Sequence, residues 1–119
     1  MSALSTEEST HDLTIQKHRQ ELDDLGYTIL HDVLTPEQVE EAIAALKVTY
    51  AEDRATEHEP GTLRTHNLSA RAEVFREMLQ VPLVMDCLAY LLGDDYILCD
   101  SGGRSPKPGM KAQGLHRDG

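Results

Sequence analysis

Apolar residues near the start of the chain are sparse and set at helical intervals. Leu13, Ile15, Leu22 and Leu25 lie among charged residues, which predicts an amphipathic helix over 11–25 with Gly26 as its C′ stop. The run Tyr27-Thr28-Ile29-Leu30-His31-Asp32-Val33 is rich in β-branched and aromatic residues and predicts a strand. Thr35-Pro36-Glu37-Gln38 carries the clearest local signal. Thr35 is a capping residue, Pro36 fits the first helical position, Gln38 completes a capping box, and Leu34 and Val39 stand at the two ends of a hydrophobic staple. A helix follows to about residue 52, with Val39, Ala42, Ile43, Leu46 and Tyr50 as its apolar stripe and Glu37, Glu40 and Glu41 near its N-terminus, where the helix dipole favours acids. Such a stripe is far more often core than partner groove.

Polar composition and Pro60-Gly61 predict a loop over 55–63, and residues 64–68 read as a short extended or irregular piece. Ser69 is a reasonable cap for a helix containing Val74, Phe75, Met78 and Leu79. Pro82 starts another helix, 82–92, with a broad apolar face closed by Gly93. Residues 96–101 read as a strand, 102–109 as a loop and 110–118 as a second extended piece. Helices come first and strands accumulate late. The order predicts an α+β domain whose main sheet lies beyond Gly119.

Composition sharpens this picture. The 119 residues amount to one domain or part of one, and 39% hydrophobic content with one Phe and no Trp is thin for a self-sufficient core. A net charge of -10 argues against an electrostatic grip on nucleic acid or an anionic membrane surface. There is no apolar run of membrane-spanning length. Residues 1–10 are Ser/Thr/Glu-rich, lack the basic start and apolar middle of a secretory signal, and read as a disordered leader, so a cytoplasmic protein is expected. Cys87 and Cys99 read as reduced core thiols rather than a disulfide, and two cysteines alone make no zinc site.

The candidate chemistry lies in Gln113-Gly114-Leu115-His116-Arg117-Asp118. Side chains alternate in an extended segment, so His116 and Asp118 point to one side and Arg117 to the other. An imidazole beside a hard anionic oxygen suits a divalent first-row metal, and two histidines with one carboxylate form the facial set of Fe(II) oxygenases. Only two of those three donors are in view. The spacing alone is weak, because random placement of 6 His and 10 Asp yields about 0.5 such pairs.

The setting adds more. Gly26-Tyr27 with its strand, Leu34-Thr35-Pro36-Glu37, Arg64-Thr65-His66-Asn67-Leu68, Leu91-Leu92-Gly93-Asp94-Asp95, and Pro108-Gly109 before the His-x-Asp run occur in an order and spacing that resemble the phytanoyl-CoA dioxygenase family of Fe(II)/2-oxoglutarate oxygenases. The similarity covers nearly everything from about residue 20 onward. It implies a double-stranded β-helix, or jelly roll, with helices packed outside and only its first strands present in this chain. It implies His116 and Asp118 as the first two iron ligands, Arg64 near the 2-oxoglutarate, Leu98 lining that pocket, and Gln113 close to iron or substrate. The family's distal His and its Arg for the far carboxylate would lie past Gly119. The implied cofactors are Fe(2+), 2-oxoglutarate and O2, with ascorbate as an accessory reductant. The implied partner is a small organic substrate, and a carboxylate at Asp118 implies hydroxylation over halogenation.

Two other readings stand beside the enzyme: a non-catalytic helical interaction module that happens to end in His-x-Asp, and a truncated pseudo-enzyme with exposed strand edges. Among the remaining candidates, His66 reads as a hydrogen-bonded structural residue, Arg104 and Lys107 as solvent-facing charges, and His11, His18, His31 and His58 as scattered without ligand spacing.

Overall fold

The structure is a computed structural model that describes residues 3–54 and 61–118. Among the described residues it is a mixed α/β arrangement of four α-helices and a two-stranded antiparallel sheet. Helix α1 spans Ala3–Leu25, α2 Pro36–Asp53, α3 Glu73–Leu79 and α4 Pro82–Leu92, and the strands are β1, Thr62–Thr65, and β2, Gly103–Pro106.

Helix α1 starts earlier than its apolar spacing predicts, so the expected leader is helical from Ala3 onward; Met1 and Ser2 lie outside the described residues. No Gly or Pro interrupts residues 3–25, so nothing local stops the helix from extending toward the N-terminus. Its inward face matches the predicted one in part. Leu13 and Leu25 are exposed, while Ile15, His18 and Leu22 turn inward at helical spacing and His18 is buried. Helix α2 begins as its sequence requires: Thr35 Oγ1 accepts from the Gln38 amide at 3.1 Å and Gln38 Oε1 accepts from the Thr35 amide at 2.9 Å. The face it buries is rotated from the expected stripe, with Ala42 and Thr49 buried and Val39 and Ile43 exposed.

The strands correct the sequence expectation most. Among the described residues the β-prone runs 27–33 and 96–101 pair with no strand, whereas β2 and the start of β1 form in stretches read as loop, and only the end of β1 falls in the piece read as extended or irregular. β-propensity describes how side chains pack on a pleated surface and is realised only where a partner strand lies alongside. In register, Thr62 faces Pro106, Leu63 faces Ser105, Arg64 faces Arg104 and Thr65 faces Gly103. Residues 55–60 of the predicted loop lie outside the described residues, and the rest of that loop is the turn at Gly61 and the start of β1. Ser69 caps no α-helix: it sits inside a 3-10 turn, Leu68–Ala70, and α3 starts after Ala72. Helix α4 has the predicted bounds, with Gly93 at φ 86 ending it.

Ala42, Leu68, Val74 and Phe75 form the core, with Ala45, Leu46, Ala72 and Met78 packed around it. It is the seam where α2, the 3-10 turn and α3 meet. Cys87 and Cys99 are both free, but Cys99 is exposed rather than a core thiol, because the run that carries it pairs with no strand. No helix among the described residues is long and apolar enough to cross a membrane.

Candidate functional site

His116 and Asp118 sit near the C-terminal end of the described residues, on a stretch with no strand pairing. Their side chains face each other, with His116 Nε2 lying 3.4 Å from Asp118 Oδ1. His116 Nδ1 lies 2.8 Å from the Gly114 carbonyl oxygen. A carbonyl only accepts, so Nδ1 carries the proton and the lone pair of a neutral ring is on Nε2, beside the carboxylate. Nε2 and the carboxylate oxygen are both lone-pair donors, and both side chains are open to solvent.

Asp118, though exposed, also lines a mainly apolar cavity of about 380 Å³ whose walls include Leu79, Leu88, Leu92, Ile97 and Leu98. The structure therefore brings together three sequence candidates: His116 and Asp118 as a pair, and Leu98 in the same cavity as Asp118. Arg64 is half-buried in β1, directly across from Arg104, and Gln113 is exposed; neither lines the cavity beside Asp118. Arg104 is half-buried too, a correction to its reading as a solvent-facing charge, because β2 places it in the sheet.

Asp100 extends the site toward the sheet. It lines the cavity beside Asp118 and also a neighbouring one of about 320 Å³ next to Phe75 and Met78. His66 Nδ1 lies 3.4 Å from Asp100 Oδ2. That contact, with amide donors from Asn67 and Ser101, holds the Asp100 carboxyl below the usual range. His66 thus has the structural, hydrogen-bonded role its sequence context suggests.

One cluster was not foreseen. Arg71 Nη1 donates to Asp53 Oδ2 at 2.6 Å, to Thr65 Oγ1 at 3.1 Å and to the His66 carbonyl at 3.2 Å. Its Nη2 pairs with Glu52. Thr65 Oγ1 donates to Asp53 Oδ2 at 2.7 Å. The Arg71 guanidinium, followed by the Thr65 hydroxyl, holds the Asp53 carboxyl down to about 2. The hub ties the end of α2 to β1 and the 3-10 turn, and so fixes the strand that leads to His66. Adjacent acids at a helix end and a distant Arg give no sequence signal that they will meet.

Among the described residues, no group of three or more His, Cys, Asp or Glu could hold a metal ion. His116 and Asp118 are an imidazole and a carboxylate side by side, donor types that a facial ferrous set uses, and the described residues supply no third beside them. No family model matches the chain, and no curated protein or solved structure matches it.

Proposed function

We propose that His116 and Asp118 are the first two protein ligands of a ferrous centre, in a 2-oxoglutarate-dependent dioxygenase that hydroxylates a small organic molecule. The supporting observation is the pair itself: an imidazole whose Nδ1 proton is committed to Gly114 and whose Nε2 lies 3.4 Å from Asp118 Oδ1, beside an apolar cavity of about 380 Å³. A backbone carbonyl that fixes the tautomer is the usual outer support of a metal-bound histidine. When bound, iron with its 2-oxo acid supplies the oxidising power for C–H hydroxylation. The chain's own residues orient the donors through Gly114 and offer the leucine-lined wall to the apolar part of a substrate. The jelly roll belongs to this reading, and so do Arg64, Leu98 and Gln113 as groups near the co-substrate.

The reading requires a third nitrogen ligand and a carboxylate-binding arginine from outside these 119 residues. Two donors bind iron weakly, so the chain by itself is expected to decarboxylate no 2-oxoglutarate above background. A form that continues through the downstream coding sequence is expected to consume O2 when given Fe(2+) and 2-oxoglutarate, and His116→Ala or Asp118→Ala is expected to abolish this. His58→Ala leaves it unchanged. A continuation that encodes no further histidine and arginine, or one that encodes both yet binds no ferrous ion, ends the proposal.

A non-catalytic interaction module is the second reading, and one observation favours it. Leu91, Leu92, Ile97 and Leu115 are all more than half exposed, which is apolar surface a partner could cover. Full folding stability that is indifferent to iron, together with a stop codon after Gly119, would select that reading.

A further inference from the structure

On the side of the molecule formed by α1 and the segment after it lies a second cavity, of about 530 Å³, that shares no lining residue with the one beside Asp118. Its wall includes His18, which is only 8% exposed although it carries a titratable ring. His18 Nδ1 lies 2.7 Å from Thr28 Oγ1, and Thr28 Oγ1 donates to Glu21 Oε2 at 2.8 Å. A threonine hydroxyl has one hydrogen, and here the Glu21 carboxylate takes it. The hydroxyl can then only accept from His18, so the ring proton sits on Nδ1 and the neutral ring carries its lone pair on Nε2. Among the described residues, Nε2 has no protein hydrogen-bond partner. Although the residue is largely buried, Nε2 is not sealed off: it is the ring nitrogen that a molecule filling the cavity would strip of water, so such a molecule must bring it a donor.

We propose that this cavity binds a neutral, hydroxyl-bearing apolar molecule of the phenol class, whose O–H donates to His18 Nε2. The chemistry follows from what surrounds the ring. Leu25, Tyr27, Ile29 and Leu83 supply apolar wall, and the volume lies within the usual range for small-molecule sites. An anion brings no hydrogen to the bare Nε2. It would also meet the Glu21 carboxylate on the same wall. A plain hydrocarbon fills the space but leaves Nε2 unsatisfied. His31 lines the same cavity, so the fold unites two histidines that lack ligand spacing in the sequence.

The test titrates the full chain at about pH 8, where histidine rings are neutral, with p-cresol, toluene and p-toluate, following the ring nitrogens of the histidines by NMR. The expected result is saturable p-cresol binding with a dissociation constant of about a millimolar, a shift at His18 Nε2, and toluene at least about tenfold weaker. Equal affinity for toluene and p-cresol would overturn the proposal, as would tighter binding of p-toluate or no saturable binding. Thr28→Val removes the hydroxyl that fixes the tautomer, so the His18 proton is expected to redistribute to Nε2 and p-cresol affinity to fall. A folded Thr28→Val protein that binds p-cresol as the parent does also contradicts the assignment. Should that variant fail to fold, the toluene comparison on the parent chain decides alone.

Discussion

At the scale of single residues, position in the fold decides what an ionisable group does. Asp53 ends α2, and Asp118 lies on the unpaired stretch after β2. Asp53 accepts from Arg71 and Thr65, whereas Asp118 stands fully exposed with one imidazole beside it. The Asp53 carboxyl is held to about 2, below its ordinary value, so its contribution to stability has a definite sign. The contribution is fully present above the unfolded value of about 3.9 and is lost as pH falls through the folded value near 2. A carbon-detected NMR titration is expected to show Asp53 still ionised at about pH 3, where an ordinary aspartate is mostly protonated. Arg71→Met should return the Asp53 midpoint toward the ordinary value and flatten the acid limb of the stability profile. An unchanged midpoint in that variant would remove Arg71 as the cause.

At the scale of elements, local signals worked where the stabilising partners are themselves local. The capping box of Thr35 and Gln38, Pro36 and Pro82 at helix starts, and Gly93 at a helix end all involve residues within a few positions of one another, and α2 and α4 have the bounds these signals predict. Thr35→Ala is accordingly expected to cost about 1 kcal/mol in urea unfolding with an unchanged m-value. Strands failed the same reading because their partners are remote. Thr62–Thr65 meets Gly103–Pro106 across roughly forty residues, a pairing that side-chain composition alone does not announce. Gly103 in the second partner and Gly102 just before it hold the clue in retrospect. A Cβ on Gly102 would lie 2.9 Å from the Thr65 carbonyl oxygen and one on Gly103 would lie 2.6 Å from the Tyr50 hydroxyl, so this strand is thin where it crosses β1 and α2. Gly102→Ala is expected to loosen that crossing, read as faster amide exchange across β1. Protection equal to the parent's would show that the backbone shifts at little cost.

At the scale of the whole molecule, the thin apolar composition appears as a small core and an elongated form. The radius of gyration is 17.6 Å, against about 13.5 Å for a compact chain of this length. Phe75 is 5% exposed at the centre of the core cluster. With so few core residues to share the loss, Phe75→Ala is expected to cost about 3 to 5 kcal/mol, enough to abolish the cooperative thermal transition. A variant that keeps the parent's melting temperature would place the core elsewhere.

The sequence by itself determined the cap and span of α2, the span of α4, the acidic charge, and the two-residue spacing that sets His116 beside Asp118. All of these depend on near neighbours along the chain. Tertiary structure decided which face each helix buries, which segments pair as β1 and β2, that Leu98 shares a cavity with Asp118, that Arg71 gathers Glu52, Asp53 and Thr65, and that His18 and His31 share one cavity. Burial, strand pairing and electrostatic partnership arise between groups far apart in sequence, and these energies exist only once the chain has brought those groups together.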